Sequence, residues 1–393
     1  MNIETATTQA RTHWPAVLAI YGAGVLAAAQ VGKLTPLGAS IRGELGLSLA
    51  GFGAAISIVQ MLSILLGVGG GLFARRYGAR RLLVAGLLVC GLGGMAASLA
   101  WSGASFLALR VLEGLGYLFV VVTAPTMLGT IAAPRHRSLV MSIWGTFVPV
   151  GFALSGALSG LGAAIWDWRL IVALFSLAAA VSALAVFRLA PASPGEPGSL
   201  RLSGVLAAYR IRPLVLLALG FGAFTTVNSA IIALLPTFLI EQHGWLAAEA
   251  GSTVGGLILL NVPGSLAMGW ILHHATRPWP YALAVPAVSA LAIGPIWAAG
   301  MPEAALLGLA ALVMVTQGMI SALCFASLPR AAGALGQLAL GSGLIVQMGS
   351  LGATVGPPAF GFLATALGWQ GAALFLTGGL AICGTLVFAA IRR

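Results

Sequence analysis

Three charged side chains, Lys33, Arg110 and Glu113, stand inside long apolar runs of this 393-residue chain. Placing an ionised group near the middle of a membrane helix costs ~3 kcal/mol or more, so such groups face a partner or a watery cavity. Lys33 follows Gln30 by three residues, and Arg110, Glu113 and Tyr117 are spaced by three and four, which puts each set on one helical face. Arginine offers a planar bidentate fork to a carboxylate and lysine a movable point charge. Two cations against one acid leave a positive excess, which is the chemistry of anion recognition, and Glu113 is the acid that could carry a coupled proton. Two plainer readings stay open: Lys33 could snorkel to the interface along its stem, and Arg110 with Glu113 could be a structural ion pair within one helix.

Neutral polar groups extend the set. Asn228, Gln317 and Gln347 lie in apolar runs of the second half with Thr225, Thr226 and Asn261, and each either lines a pathway or bonds a neighbouring helix. Tyr117, Trp144, Phe221 and Phe224 could wall an apolar pocket. Other chemistries lack their residues. No H-E-x-x-H or zinc-type set occurs, all five histidines fall in or beside loops, and Cys90, Cys324 and Cys383 are scattered in apolar stretches as small core residues. Gly91, Gly93 and Ala96 fit G-x-G-x-x-A by letter, but no strand precedes them. Neither a metal, a cofactor nor a catalytic residue is expected.

The elements that position these residues follow from composition. The chain is 60% hydrophobic and 7% charged, against ~25% charged in soluble domains, which excludes a soluble enzyme. The net charge of +11 is spread among apolar runs, with no basic face for nucleic acid. A span needs ~20 apolar residues. Twelve can be drawn, at 14–38, 49–73, 82–101, 104–130, 138–162, 168–189, 213–239, 247–271, 279–299, 303–328, 338–364 and 369–391. The expected fold is therefore an all-α membrane protein of twelve transmembrane helices in two pseudo-symmetric six-helix bundles, 1–190 and 213–393. Between them a Pro-, Gly-, Ser- and Arg-rich tract at 191–212 reads as a cytoplasmic linker. With the N-terminus inside, 15 arginines fall in cytoplasmic segments and two, Arg42 and Arg169, outside, so the positive-inside rule puts both termini in the cytoplasm. The halves repeat. Gly22, Pro36 and Gly51 meet Gly222, Pro236 and Gly251 at an offset of 200, and Glu113 and Gly114 meet Gln317 and Gly318 at 204.

Two motifs carry a resemblance. GLFARRYGARRLL, from Gly71 to Leu83, resembles the G-x-x-x-D-R-x-G-R-R/K loop of the major facilitator superfamily, matched at Gly71, Arg76, Gly78 and Arg80, with Arg75 where the family has aspartate and a degenerate second copy at Gly269–Arg277. RVLEGLG, from Arg110 to Gly116, resembles the family's R-x-x-Q-G-x-G with Glu113 in the glutamine's place. AAAQVGKLTP in the first helix and WGTFVPVG in the fifth resemble cyanate-transporter-like members. The resemblance implies alternating access to a site between the halves, in which Gly71, Arg75, Arg76, Gly78 and Arg80 form a cytoplasmic latch. The aspartate's latching role does not transfer to Arg75, so a weak latch and a well-populated inward-open state are expected.

The resulting expectation is a monomeric secondary transporter of a small, anionic solute across the bacterial inner membrane, coupled to protons, with Lys33, Arg110, Gln30, Tyr117, Trp144, Asn228, Gln317 and Gln347 binding the solute and Glu113 carrying the proton. A proton-driven multidrug or metabolite exporter is the alternative. The partners expected are the solute, protons and the lipid bilayer. Topology is testable first: a cysteine at Ser199 should react with an impermeant thiol reagent only after the membrane is opened, and labelling in intact cells would overturn the orientation.

Overall fold

Apolar segments immersed in lipid can satisfy their backbone hydrogen bonds as helices, and in the computed structural model all described elements are helical. The structure describes residues 11–163, 165–193, 195, 206, 208–275, 277–298, 300–333 and 335–392. The helices are α1 (Trp14–Gly32), α2 (Gly38–Leu45), α3 (Leu49–Tyr77), α4 (Ala79–Ser98), α5 (Gly103–Ile131), α6 (Arg137–Trp144), α7 (Phe147–Gly162), α8 (Trp168–Leu189), α9 (Arg212–His243), α10 (Ala247–Ile258), α11 (Asn261–His274), α12 (Trp279–Ile296), α13 (Glu303–Ala332) and α14 (Leu335–Ile391). Among the described residues, eleven stretches are long and apolar enough to cross a membrane. The last becomes two passes. The 57 residues of α14 would reach ~85 Å at 1.5 Å each, far beyond ~30 Å of hydrocarbon. The chain turns at Gly368, whose φ of 74° is left-handed and open to glycine at no steric cost. Residues on both sides of that turn, Gly352 and Val387, then pack on the same stretch of α9 at Gly222 and Gly220. Leu65, Leu158, Leu291 and Leu374 remain exposed on the outer faces, as lipid-facing residues should.

Three spans are less regular than their hydropathy suggests, and proline is the common cause. Pro36 sits in a 3₁₀ turn, Thr35–Leu37, that separates α1 from α2, so the first helix ends at Gly32 rather than near residue 38. Pro149 has no N–H for the carbonyl of Gly145 and its ring crowds that carbonyl. The fifth span accordingly breaks into α6 and α7, and the freed Gly145 oxygen accepts a long bond from Ser321 Oγ, 3.4 Å. Pro263 has the same effect on the eighth span, where the Leu259 carbonyl turns to the Val262 N–H at 3.0 Å.

The internal repeat is visible in packing. Gly114 of α5 lies on Val59 of α3, and its counterpart Gly318 of α13 lies on Asn261 of α11, so closely that a Cβ at Gly318 would come 2.0 Å from the Asn261 carbonyl oxygen. Each half thus uses the same glycine to bring the same two helices together.

The two halves meet along a seam toward the arginine-rich end. A Cβ at Gly67 of α3 would lie 2.7 Å from the Gly343 carbonyl oxygen, and one at Gly71 2.5 Å from that of Ala339, both on α14. Gln347 Nε2 donates to the Ile64 carbonyl, 2.7 Å, while its Oε1 accepts from the Tyr209 hydroxyl, 2.5 Å. Thr126 pairs with Ser342 at 3.2 Å, Ser265 Oγ donates to the Ser142 carbonyl at 2.8 Å, and the His136 and His273 rings stack 6.2 Å apart. This conformer is therefore shut at the end where the loss of the motif's aspartate led us to expect a weak latch. Backbone contact at Gly67 and Gly71 does the closing. Of the other motif residues, Gly78 and Arg80 contact α8 and the start of the linker. Gly78 has a φ of 89°, Arg80 N–H donates to Ser193 Oγ at 2.8 Å, and the Arg80 guanidinium lies over Phe187 at 4.7 Å. Arg75 and Arg76 are exposed at the end of α3. Most of the expected linker at 191–212 lies outside the described residues.

The seam generates a prediction. Gly71→Leu should overpack α3 against α14 at a cost of about 1–3 kcal/mol, enough to shift the closed population roughly tenfold. Spin labels at the exposed Tyr77 and Arg330 should report a longer separation in that variant, and none in Gly69→Leu, where a Cβ meets nothing within 4 Å. Equal distances in both variants would refute the seam as the closing contact.

Candidate functional site

A cavity of about 570 Å³ lies between the halves. Its lining on α3, Ile56 to Gln60, precedes the seam glycines. On α7 it begins at Phe147, beyond Ser142, and on α14 it begins at Val346, beyond Gly343. It therefore sits on the far side of the seam, cut off from the arginine-rich end. The proline-broken spans supply its floor through Gly145 and Phe147 on one side and Ile258 and Asn261 on the other.

The wall is aromatic and neutral. Tyr117, Phe147 and Phe152 come from the first half and Phe221, Phe224 and Phe325 from the second, with Phe221 edge-on to Phe325 at 5.2 Å. The hydrogen-bonding groups are all neutral: Ser57 and Gln60 on α3, Tyr117 on α5, Thr225, Asn228 and Ser229 on α9, Asn261 on α11, Ser321 on α13, and Ser350 and Thr354 on α14. Asn228 Nδ2 has no partner among the described residues. No charged side chain and no histidine lines the wall among the described residues.

The charged residues singled out by sequence are together, but behind that wall. Lys33 and Arg110 are fully buried and Glu113 almost so. Lys33 Nζ donates to Glu113 Oε1 at 3.0 Å, to Ser176 Oγ at 3.1 Å and to Gln30 Oε1. Arg110 Nη1 donates to Glu113 Oε2 at 2.5 Å and to the Gln30 carbonyl at 3.3 Å, and its Nε donates to the Ala55 carbonyl at 3.0 Å. Gln30 Nε2 in turn donates to the Phe175 carbonyl at 2.9 Å. One carboxylate thus binds two cations and, through them, α1, α3, α5 and α8. Breaking a buried pair by removing one partner typically costs 3–5 kcal/mol, so this cluster also holds the first half together. Only one layer separates it from the cavity: Val31, Ile56 and Tyr117 line the wall, and they follow Gln30, Ala55 and Glu113 by one residue, one residue and one helical turn.

The other predicted residues divide as follows. Tyr117 and Asn228 line the cavity, with Phe221, Phe224, Thr225 and Asn261. Lys33 neither snorkels nor lines the cavity, because a membrane-buried cation needs its counter-charge and finds it inside the half. Ala233, its repeat counterpart, does line the wall. Trp144 is fully buried, stacked on Phe147 at 4.2 Å and filling the space beside Gly24. Gln317 is buried in the second half, donating to Ser289 Oγ at 3.3 Å. Gln347 belongs to the seam. Sequence reasoning passed over Ser57, Gln60, Phe147, Ser321 and Ser350. The three-residue spacing of Ser57 and Gln60 was a signal for a shared face, whereas nothing local marks Ser350, whose Oγ donates to Gln60 Oε1 across the halves at 3.2 Å. Ser176, the serine that completes the charged cluster, carried no signal either. Among the described residues no group of three metal-ligating side chains occurs.

Comparison with known proteins agrees with this architecture. The family model described as Major Facilitator Superfamily matches residues 20–337. The chain is 27% identical to a 3-(3-hydroxy-phenyl)propionate transporter of Escherichia coli (strain K12), over 82% of this chain and 80% of that protein. It is 23% identical to a hexuronate transporter of Bacillus subtilis (strain 168), over 95% and 93%. The crystal structure of the human organic anion transporter MFSD10 superposes with a TM-score of 0.80 at 17% identity, covering 95% of this chain and 99% of that one. Twelve passes, two halves related by repeat, a cavity between them and a family model spanning most of the sequence lead to one conclusion: this chain belongs to the Major Facilitator Superfamily and is a multi-pass membrane transporter, not an enzyme.

Proposed function

We propose that this protein is an alternating-access secondary transporter of a small organic anion with an aromatic or otherwise apolar body. The carrying observation is the cavity itself, whose aromatic, charge-free wall is backed at one layer's distance by a cluster of net charge +1. Rings stack or meet edge to face at such walls, while Asn228, Tyr117 and Ser321 offer hydrogen bonds to a carboxylate or hydroxyl. Because the cluster lies in a low-dielectric interior, its excess charge acts on the cavity with little screening, favouring an anion without a direct salt bridge. Of the two curated relatives described above, one is named for a hydroxyphenyl acid, which fits this class, and the other for hexuronates, which share the carboxylate but not the apolar body.

In this reading residues 1–190 and 213–393 rock as two bodies about the cavity, joined by the linker at 191–212, and the chain works as a monomer. The membrane is the bacterial inner membrane in this reading, and the arginine count supports cytoplasmic termini and a cytoplasmic seam, so the conformer described here faces outward. Motion is coupled to protons through the buried cluster. One observation favours a second reading: a wall free of charge would equally suit an exporter of apolar compounds.

Uptake of labelled 3-(3-hydroxyphenyl)propionate into proteoliposomes tests the proposal. We expect saturable uptake, competed by benzoate and glucuronate and not by tetraphenylphosphonium. Asn228→Ala should weaken binding about tenfold, ~1.4 kcal/mol, the scale of a hydrogen bond to a charged group. Competition by the lipophilic cation alone would replace this reading with the exporter, and no uptake of the labelled acid would remove the substrate class.

A further inference from the structure

The cluster behind the cavity wall must change protonation if it couples transport to protons, and its geometry distinguishes which member can. Both carboxylate oxygens of Glu113 face donors: Oε1 receives Lys33 Nζ and Oε2 receives Arg110 Nη1. A proton added to either oxygen would have to share that oxygen with a cation's N–H, and it would leave two cations buried without an anion. Arg110 does not lose its proton in proteins. Lys33 differs from both. Its three N–H groups meet three acceptors, on Gln30, Glu113 and Ser176. After loss of one proton the amine keeps two donors, and the Ser176 hydroxyl, which now donates to the Val172 carbonyl at 2.6 Å, can turn to donate to the nitrogen lone pair. What remains is Arg110 paired with Glu113, a cluster of zero net charge, which a low-dielectric interior favours over a charged one.

We propose that the coupled proton is carried by Lys33, with Glu113 remaining the carboxylate partner of Arg110 throughout the cycle. The ammonium gives its proton to water entering from the cavity when the wall residues Val31, Ile56 and Tyr117 part, and the amine takes one back on the return. No electron transfer or co-reactant is involved. The groups that face Lys33 are Gln30 from its own helix, Glu113 and Arg110 from α5, Ser176 from α8 and, as the remaining titratable side chain near it, Cys90 from α4. This inference rests on the transporter reading above and assigns the proton to a residue other than the acid expected from sequence.

Lys33 is the sole lysine of the chain, so lysine labelled with ¹³C at Cε and ¹⁵N at Nζ gives one protein signal in lipid nanodiscs, readable without any solute. The expected result is a single step between ammonium and amine within the pH range in which the protein stays folded, and amine at every pH in Glu113→Gln, where the counter-charge is gone. In proteoliposomes loaded with a pH dye, protons moved per 3-(3-hydroxyphenyl)propionate should fall to zero in Lys33→Met, whatever its rate. An ammonium signal at every pH in the wild type, or a Lys33→Met variant carrying protons at the wild-type ratio, would overturn the assignment. If the wild type moves none of this acid, the substrate reading fails, and the lysine signal still supports or overturns Lys33 as the titrating group.

Discussion

The interaction on which the first half depends is the capture of two cations by one buried carboxylate. Inside a membrane bundle there is no water to share the charge of Lys33 and Arg110, so each must be met by protein, and Glu113 meets both. The geometry that follows is restrictive. α1 must present Gln30 and Lys33 inward, α3 must offer the Ala55 carbonyl, and α8 must bring Ser176 and the Phe175 carbonyl within reach. At the far end of the same half, Arg169 performs a comparable service in a more exposed setting. Its fork holds Glu44 at 2.6 Å and the carbonyls of Ser98 and Ala100 at 2.7 and 2.8 Å. The first half is thereby tied at its centre and at one end.

Among the described residues the second half has no such tie. Where the first carries Glu113, it carries Gln317, which donates to Ser289, and where the first carries Lys33, it carries Ala233 at the cavity wall. The repeat has kept the packing glycines while the charge has been placed on one side alone. A rocking transporter needs bodies that hold their shape and an interface that lets go. The seam suits that second role: it holds glycines against backbone, the Thr126–Ser342 hydroxyl pair, the His136–His273 stack and one glutamine, contacts that are close in distance and small in individual energy. Association there is a matter of fit, which is why a single added side chain at Gly71 is expected to open it.

Much of this organisation was legible in the sequence because the membrane imposes strong local rules. Length of apolar runs, the distribution of arginine and the scarcity of buried charge pointed to twelve helices and to Lys33, Arg110 and Glu113 as residues with a purpose. Proline accounts locally for the breaks at Pro36, Pro149 and Pro263, but nothing local says that those at Pro149 and Pro263 form one floor. Closure in this conformer includes backbone approach along two helices, a property of three-dimensional fit that no single loop position reports.

What the sequence determined by itself is thus the hydrophobic architecture, the pairing of halves and the identity of the costly side chains, since each follows from the period and polarity of a local segment in lipid. Only the tertiary structure decided which polar groups face the solute path. Lys33 and Tyr117 both lie on faces that spacing could assign to a cavity, yet Lys33 turns to a counter-charge 80 residues away in sequence while Tyr117 turns to the cavity. The difference lies in where helices from distant parts of the chain place their partners. A buried charge is governed by that long-range geometry, because its free energy depends on which groups stand within a few ångströms rather than on its neighbours along the chain.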